Sequence, residues 1–511
     1  MVHVDRRTLL TASAFGAAAP VASPLAWGAM FNRTREQLPS GAQMGDVTTN
    51  SAVLWAQSSG PGRLHARVSS NGLTFRTVRG GRAHEGNDFT ARIFLGDLAP
   101  GRGYDATVWF DQDGVAGEPQ KLSFTTGSVH PAPTSLVWSG DTCGQGWGIN
   151  PDFGGLIGYQ AMAEVEPDLF VHCGDMIYAD MPIQSTRLDG TQVWRNETNE
   201  HISKVAESLA EFRAHYRYNL SDAHVRSFNA KVPVIGQWDD HEVIDNWWPS
   251  KRIEDDRYTE RSAAVLAHRA KRAWQEYVPV ARDVSLRAQT APEGTRIHRK
   301  VSRGAHLDVF TVDMRSYRDP NRTSNHPEEA RLLGATQAEW LTREVIASRA
   351  TWKVIAIDLP IGIACTSHAE PGMDSVADGR PGQPQGREPE FARILKAWKY
   401  AGVRNVVFVT ADVHYTAAHH YSPERAAFTD FNAFWEFVSG PIHGSTFLPK
   451  GMDATFGPKV HFVKGGDSQS PRKGNQFFGQ LEIDRAGLMT VKLRDIGGNV
   501  LWQRDLEPES N

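Results

Sequence analysis

The chain has 511 residues, a formal net charge of −4 and a hydrophobic fraction of 40%. This length predicts two or more domains, and the apolar content is enough to bury sizeable cores. The small negative charge, without a basic run, disfavours proteins that bind nucleic acid electrostatically. The sequence has only three cysteines, which excludes a disulfide framework.

The first 26 residues have the pattern of an export signal and not of a folded element. Arg6 and Arg7 precede a modestly apolar run and then small residues, in VDRRTLLTASAFGAAAPVASPLA. This pattern is typical of a twin-arginine signal, which the Tat export machinery reads on folded proteins. No later segment is apolar enough to span a bilayer. We therefore predict an exported protein that is periplasmic, extracellular or associated with the cell wall.

Residues 38–127 are predicted to form an all-β domain. Short segments rich in Val, Thr and aromatic residues, such as SAVLWAQ and RLHARVSS, alternate with Gly, Pro and Asn turns. Their spacing indicates a small sandwich of the immunoglobulin or fibronectin type. Residues 128–134 read as a linker that contains Pro and Ser.

Residues 135–511 are predicted to form a layered α/β domain. Apolar strands alternate there with helical stretches such as ERSAAVLAHRAKRAWQEYV. The last segment, GQLEIDRAGLMTVKLRDIGGNVLWQRDL, predicts antiparallel strands at the finishing edge of the same domain.

Six apolar strands of this domain each finish with a carboxylate. The residues are Asp141, Asp175, Asp240 beside Asp239, Asp313, Asp358 and Asp412. Charged groups are costly to bury unless they are paired or metal-bound, and ligands of open α/β sheets lie beyond the carboxyl ends of the strands. The preference of Asp for turns explains one or two such endings, but not six. The pattern therefore predicts a metal site.

Two ligand sets can be distinguished by their donor atoms. The first mixes hard and soft donors and consists of Asp141, Cys143, Tyr178 and His414. It suits a transition metal, above all iron in the ferric state. The second set has only oxygen donors and consists of Asp175, Asp240, Asp412 and Asp358. It suits Ca²⁺ better than Mg²⁺ or Mn²⁺, and Asp175 is placed to bridge the two sets.

The spacing of two residue pairs leaves their geometry open. Asp141 and Cys143 are two positions apart, as are Asp412 and His414. If the extended strands continue to Cys143 and His414, each pair points to one side. Otherwise the loops must direct these side chains.

The ordered motifs resemble a known family. GDMIY resembles the GDxxY motif of purple acid phosphatases within the calcineurin-like metallophosphoesterases. GQWDDHEVIDNWW, VDMRSYRDP and TADVHYTA are similar to segments of PhoD-type alkaline phosphatases and phosphodiesterases. The resemblance extends over residues 40–505. It implies a four-layer αββα sandwich that holds Fe(III) and Ca²⁺ and hydrolyses phosphomonoesters and phosphodiesters through a metal-bound hydroxide.

The resemblance also implies roles for individual residues. The ligands it carries over are Asp175 as the bridge, Cys143, Tyr178 and His414 for iron, and Asp240 and Asp412 for the second metal. Two positions depart from the family pattern. The first motif is Asp-Thr-Cys where better-known PhoD sequences have Ser-Cys, and Asp358 stands where relatives carry an isolated His.

Three further residues are candidates for catalysis. His241 matches the catalytic His of the family and is expected to protonate the leaving oxygen or to orient the phosphate. Arg315 and Arg318 could bind phosphate as a fork. An ion pair with Asp313 or Asp319 explains the two arginines equally well.

Other interpretations remain open at this point. A phospholipase D-like phosphodiesterase could use the same site on a phospholipid, and a non-enzymatic β-rich binding protein could hold a structural Ca²⁺. The six strands that end in acids argue against the second of these. A disulfide between Cys143 and Cys173 is a further alternative, and it would exclude Cys143 as an iron ligand.

Overall fold

The computed structural model describes residues 37–281, 296–321, 329–365 and 374–509, and the predicted export signal lies outside them. The strands before residue 128 are β1 (Ala42–Gly45), β2 (Ala52–Gln57), β3 (Gly62–Ser70), β4 (Leu73–Ala83), β5 (Thr90–Leu95), β6 (Gly103–Gln112), β7 (Val115–Ala116) and β8 (Gln120–Thr125).

The middle of the chain alternates strands with helices. The strands are β9 (Thr134–Ser139), β10 (Leu169–His172), β11 (Thr186–Asp189), β12 (Gln192–Arg195) and β13 (Val234–Gly236). The helices are α1 (Ile157–Ala163), α2 (Leu209–Asn219), α3 (Ala223–Asn229) and α4 (Ala263–Tyr277). Ser208 and Glu211 form a capping box that begins α2.

The remaining elements complete the α/β region. The strands are β14 (Arg299–Ser302), β15 (Leu307–Thr311), β16 (Trp352–Ala356), β17 (Val406–Thr410), β18 (Thr416–Tyr421), β19 (Phe434–Val438), β20 (Pro458–Lys464), β21 (Phe477–Ile483), β22 (Met489–Asp495) and β23 (Val500–Leu506). The helices are α5 (Ala335–Ala347) and α6 (Glu388–Tyr400).

Two large mixed sheets organise these strands. The first has the order β23-β22-β21-β9-β10-β13-β1-β2-β5, and the second has the order β14-β15-β16-β17-β19-β18-β20. A five-stranded sheet contains β4, β3, β6 and β7, with β8 paired to β6, and β11 and β12 form a hairpin. The antiparallel strands β21 to β23 lie at one edge of the first sheet, beside β9, as the C-terminal sequence predicts.

The central strands of the first sheet are parallel and buried on both faces. Phe170 of β10 pairs with Val137 of β9 on one side and with Val234 of β13 on the other. Strands covered on both faces read as continuous apolar runs. Because these strands are parallel, their carboxyl ends meet at one edge of the sheet, and the acidic residues follow at that edge.

Apolar clusters separate the layers. Val171 of the first sheet and Val354 of the second belong to a cluster that lies between the two sheets. The opposite face of the first sheet packs on the helices of the middle region, through residues such as Phe170 and Phe212. The opposite face of the second sheet packs on α5 and α6.

The N-terminal region is joined to the first sheet by backbone pairing. β1 pairs in parallel with β13 through Gly45 and Val234, so β1, β2 and β5 extend the nine-stranded sheet. A Cβ atom on Gly45 would lie 2.2 Å from the carbonyl oxygen of Pro279, so only glycine fits there. Asp46 next to it pairs with Arg299 at 2.8 Å. The predicted boundary at residue 127 thus separates segments that share one sheet.

A search of the described helices for membrane spans finds none with the necessary length and apolarity.

Candidate metal centre

Acidic residues of both large sheets gather just beyond the carboxyl ends of parallel strands. They are Asp141 after β9, Asp175 after β10, Asp240 after β13, Asp358 after β16 and Asp412 after β17. All five are buried or nearly so. Because the two sheets face each other, acids from both are brought to one place, as the sequence predicts.

The backbone turns sharply at this edge. Asp141, Asp175, Asp412 and His414 all have left-handed backbone conformations, with φ of 64°, 53°, 63° and 59°. Such conformations are uncommon for residues other than glycine and cluster at functional sites. The extended strands therefore stop before these residues, and the loops direct the side chains. Gly174 is required beside them because its Cβ would lie 2.5 Å from the Cβ of Asp239.

The first metal-binding group joins both sheets. Asp141, Asp175 and His414 each offer a ligand atom, and these atoms lie within 4.8 Å of one another. The Tyr178 hydroxyl lies 3.4 Å from Oδ1 of Asp141 and 2.9 Å from Nε2 of His414. The structure thus brings together four of the predicted ligands.

His414 is held with one ring nitrogen available as a ligand. Its Nδ1 hydrogen is donated to the carbonyl oxygen of Ser445 at 2.5 Å, which leaves the lone pair of Nε2 facing Asp141. Burial lowers the pKa of His414 to about 3, so the ring is neutral. A neutral imidazole whose other nitrogen is fixed by a carbonyl is the usual form of a metal-binding histidine.

Two further groups lie next to the first and share residues with it. One consists of Asp175, Asp240 and His241, and the other of Asp239, Asp240 and Asp412. Asp175 belongs to the first and second groups, as its predicted bridging role requires. Asp358 stands outside all three groups, with Oδ2 3.6 Å from Nε of Arg315.

Several carboxylate oxygens at this edge are buried without a hydrogen-bond partner within the described residues, although some of them lie within 4.0 Å of a cationic side chain. They are Oδ2 of Asp141, Oδ1 of Asp240 and both oxygens of Asp358. Burial raises the pKa of Asp141, and the neighbouring Asp239 raises it further. Buried, unpartnered carboxylates of this kind are stabilised by a bound cation. The donor set therefore fits metal ions.

His241 is oriented by a residue that the sequence reasoning missed. Its Nδ1 lies 2.8 Å from Oδ1 of the buried Asp180, and its ring stacks on Tyr178 with centroids 4.3 Å apart. Nε2 faces the centre, 3.9 Å from Asp240. Burial lowers the pKa of His241, but Asp180 and the other nearby carboxylates outweigh burial and raise the pKa well above its ordinary value.

Glu242 is a second residue that sequence reasoning left without a role. Its carboxylate accepts hydrogen bonds from the backbone N–H groups of Asp175, Met176 and Asp239, at 3.2, 2.7 and 2.8 Å. It therefore fixes two strand ends relative to each other. Burial raises the pKa of Glu242 to about 8.

Arg315 and Arg318 are enclosed in an ion-pair network. Arg315 contacts Oδ1 of Asp239 at 2.6 Å and Oδ2 of Asp374 at 2.9 Å, and Arg318 also pairs with Asp374. Both guanidinium groups are fully buried. The ion-pair explanation therefore describes the two arginines, with Asp239 and Asp374 as partners and not the predicted Asp313 or Asp319. Asp374 was missed because it is not among the strand ends that the sequence pattern identifies.

Cys143 is the predicted ligand that the structure does not bring to the centre. It has a φ of 65° and belongs to the apolar cluster between the first sheet and its helices, outside all three metal-binding groups. The left-handed turn at Asp141 ends the alternation of the strand, so the two side chains do not share a side. Cys173 belongs to the cluster between the sheets, and both thiols are free, so the predicted alternative of a disulfide is wrong.

Known proteins resemble this chain in sequence and in fold. Alkaline phosphatase D of Bacillus subtilis (strain 168) is 29% identical over 300 residues, which are 56% of this chain and 47% of that protein. The chain thus spans about half the length of this curated relative. Among solved structures, one of PhoD matches with a TM-score of 0.68 at 18% identity and covers 94% of each chain. Purple acid phosphatase PPD1 from yellow lupin (Lupinus luteus) seeds matches with a TM-score of 0.58 at 11% identity, over 93% of this chain and 75% of that chain.

The two solved structures show the same fold as this chain, although their identities are too low to show more. The family model is more specific, because the model described as PhoD-like phosphatase matches residues 136–495, well over half of the chain. That stretch contains every acidic and histidine residue of the metal centre. The chain belongs to the PhoD-like phosphatase family.

Proposed function

We propose that this protein is a metal-dependent phosphoesterase that hydrolyses phosphomonoesters, phosphodiesters or both. The observation that carries the proposal is the pair of adjoining groups Asp141–Asp175–His414 and Asp175–Asp240–His241, which share Asp175. Two ions that share a carboxylate are suited to hydrolysis of phosphate esters. The name of the relative, alkaline phosphatase D, agrees with this chemistry.

The metals that we propose are Fe(III) and Ca²⁺. The phenol of Tyr178, beside Asp141 and His414, supports iron in the first position because phenolate and imidazole suit a transition metal. The second position has carboxylate donors from Asp175 and Asp240, and Asp412 adjoins Asp240 in the third group; these oxygen donors support a hard cation such as Ca²⁺. Asp358 is proposed as a further ligand because both of its oxygens are buried without a hydrogen-bond partner within the described residues and its one ionic contact, with Arg315, is at 3.6 Å.

When bound, the ions supply a polarised water and positive charge against the phosphoryl oxygens. The protein contributes placement, which is the main requirement of phosphoryl transfer. Asp180 holds Nδ1 of His241, so that Nε2 is directed towards the centre. Because the nearby carboxylates raise the pKa of His241, its Nε2 carries a proton, and we assign His241 to donating that proton to the leaving oxygen and not to binding an ion.

The two arginines have different proposed roles. Arg315 neutralises Asp239 and Asp374 and so supports the centre. For Arg318, Nε and Nη1 are buried without a hydrogen-bond partner within the described residues. Arg318 therefore remains a proposed contact for a phosphate oxygen.

We also propose the architecture and location that the sequence predicts. A four-layer αββα sandwich is supported by the three apolar clusters that alternate with the two large sheets. An immunoglobulin- or fibronectin-like domain before it is supported by the apolar cluster shared by β1, β2 and β5 with the five-stranded sheet. Export by the Tat machinery is supported by Arg6 and Arg7 alone.

Asp175→Asn tests the proposed function. The variant should lose hydrolysis of bis-p-nitrophenyl phosphate by at least about 10³-fold, since a neutral amide cannot bridge two ions. Bound iron and calcium should fall together in elemental analysis, while the circular dichroism of the N-terminal strands persists. Asp256→Asn, at a fully exposed carboxylate, is the matched control. Activity near wild type would refute the assigned centre.

The choice of substrate needs a second measurement on the wild-type protein. Rates on p-nitrophenyl phosphate and its bis ester should distinguish monoesterase from diesterase activity. Release of a phospholipid headgroup faster than either would favour the phospholipase D-like alternative. A colourless protein that is indifferent to chelators would favour the binding protein, because a tyrosinate–Fe(III) pair absorbs visible light.

A further inference from the structure

The five-stranded sheet of the N-terminal region has one face that packs on the core and one that does not. Leu64 and Ala66 of β3 are buried, whereas Arg63, His65 and Arg67 alternate with them and point the other way. The outward face is thus basic, although the protein as a whole has a net charge of −4.

Like charges face each other across neighbouring strands of this sheet. Arg63 of β3 is opposite Arg82 of β4, and His65 is opposite Arg79. Like charges that are directly opposite destabilise a sheet. Within the part of the chain that the structure describes, no carboxylate lies within 4.0 Å of the guanidinium groups of Arg63, Arg79 or Arg82. On its other side Arg63 is opposite Asp111 of β6, which offsets part of this repulsion, whereas Arg79 and Arg82 have no such carboxylate opposite them in the described pairing.

The three arginines line one cavity of about 500 Å³. Its other wall consists of the end of β6, which carries Asp111, and the turn between β6 and β7, which carries Asp113. Oδ1 of Asp111 accepts the backbone N–H of Gly114 at 3.0 Å and so belongs to that turn. Three cations against two carboxylates leave a net charge of 3 − 2 = +1 in the cavity.

The cavity has oriented donors and a flat wall. Nη1 of Arg63 donates to the carbonyl oxygen of Gly80 at 2.8 Å, which fixes the direction of its guanidinium group. The ring of His65 stacks on Trp109, with centroids 5.5 Å apart and planes at 20°. Guanidinium forks match the paired oxygens of a phosphate.

Positive charge continues beyond the cavity along the same face. Arg67 is opposite Thr107 of β6, and Thr107 is opposite Lys121 of β8. Arg67 and Lys121 are both exposed. An extended row of cations suits a chain of anionic groups better than it suits one ion.

We propose that this face, centred on the cavity of Arg63, Arg79 and Arg82, is a non-catalytic binding site for a soluble polymer that carries phosphate groups. The site lies on strands that contribute nothing to the metal centre. It would hold a polyanionic chain on the protein independently of hydrolysis.

Binding of fluorescently labelled inorganic polyphosphate, followed by anisotropy, tests the proposal. The double variant Arg79→Gln/Arg82→Gln should bind at least about tenfold more weakly, with a shallower dependence on salt. The matched control is Lys459→Gln/Arg504→Gln, which removes two exposed cations from β20 and β23 and should change the affinity less than about twofold. Equal losses in both double variants, or none in the first, would overturn the proposal.

A second variant tests the cavity in the opposite direction. Asp111→Asn keeps an oxygen for Gly114 but removes a negative charge, so polyphosphate should bind severalfold more tightly. Unchanged or weaker binding in a folded variant would contradict the assignment.

Two other probes distinguish the ligand class. Polyglutamate that binds as tightly as polyphosphate would overturn the choice of phosphate. Vesicles of phosphatidylglycerol that lose binding in the Arg79/Arg82 double variant, while polyphosphate does not, would assign the face to a membrane and overturn the polymer. Binding needs no turnover, so a failure of the proposed hydrolysis would leave these results unaffected.

Discussion

Two sets of buried carboxylates lie side by side near the carboxyl ends of the parallel strands, and they differ in whether arginine side chains neutralise them. Burial raises the pKa of Asp374, but the guanidinium groups of Arg315 and Arg318 outweigh burial and hold this pKa below its ordinary value. Asp141 has no such partner, and burial raises its pKa well above the ordinary value. The same residue type at the same depth is thus ionised by neighbouring arginines in one place and lacks such a neighbour in the other.

The largest effect on stability is expected when the guanidinium group of Arg315 is removed. Arg315→Met should lower the free energy of unfolding by about 3–5 kcal/mol, because Asp239 and Asp374 would remain buried without their partner. Denaturant unfolding of the metal-loaded protein measures this change. Arg331→Met is the control, since Arg331 is 68% exposed in its pair with Asp319 and should matter by less than about 1 kcal/mol. Similar losses in both variants would remove the distinction between the two sets.

Chelation tests the other set. In the metal-free protein, burial holds the pKa values of Asp141, Asp175 and Asp358 above their ordinary range. A carboxyl whose pKa is raised by folding contributes stability below its unfolded pKa of about 4 and loses it as the pH rises through the folded pKa. The melting temperature should therefore fall after chelation by on the order of 5 °C more at pH 8 than at pH 5.

Calorimetry at pH 5 and pH 8, with and without chelator, measures the fall in melting temperature at each pH. The same scans after re-addition of iron and calcium provide the control, because the ions should restore the original melting temperature at pH 8. If chelation lowered the melting temperature equally at pH 5 and pH 8, these carboxylates would not be the groups that respond to the metal.

Asp180 belongs to neither set, because its partner His241 is a titratable side chain and not an arginine or a metal ion. Asp180→Asn should lower kcat by about 10- to 100-fold with little change in KM, since the amide no longer fixes the ring nitrogen that carries the proton. The pH profile of kcat should shift as well. Asp256→Asn should leave kcat and KM unchanged. A rise in KM at constant kcat would instead assign Asp180 to substrate binding.

The smallest effect is expected at Cys143. Cys143→Ala should retain iron and activity within about twofold and lose roughly 1 kcal/mol of stability, because the thiol packs in the apolar core. Elemental analysis and p-nitrophenyl phosphate hydrolysis check this, with His414→Ala as the variant expected to lose iron. Loss of iron from the Cys143 variant would restore its predicted role as a ligand and move it into the metal-binding set.

The sequence was sufficient to predict where the acidic residues gather, although their role as a metal centre stays a prediction. Strands buried on both faces give continuous apolar runs, so the ends of these strands can be located in the sequence. Asp141, Asp175 and Asp412 follow those ends. The shared position of Asp175 follows from the same pattern and agrees with the observed groups.

Side-chain direction beyond the strand ends could not be predicted. The spacing of two is the same in Asp141–Cys143 and in Asp412–His414, yet the turns direct His414 to the centre and Cys143 to the core. These turns depend on left-handed residues whose conformations are fixed by tertiary contacts.

Residues that only position other side chains, such as Asp180 and Asp374, are harder to identify from the sequence. Asp180 is only two positions after Tyr178, so its proximity to the centre was available from the motif, but its pairing with His241 crosses 61 positions of sequence. Asp374 is not among the strand ends that the sequence pattern identifies, and no local motif marks it as the partner of Arg315. The first could have been proposed from the sequence, whereas the second required the fold.

The pairing of Gly45 with Val234 has a consequence for dissecting this protein. A chain truncated to begin at residue 128 would lose β1, β2 and β5, and β13 would become an uncovered edge. Its unpaired N–H and C=O groups would offer a template for other chains, which favours aggregation over a soluble catalytic fragment. We therefore expect the N-terminal strands to protect the α/β region from self-association, and the two regions are best expressed together.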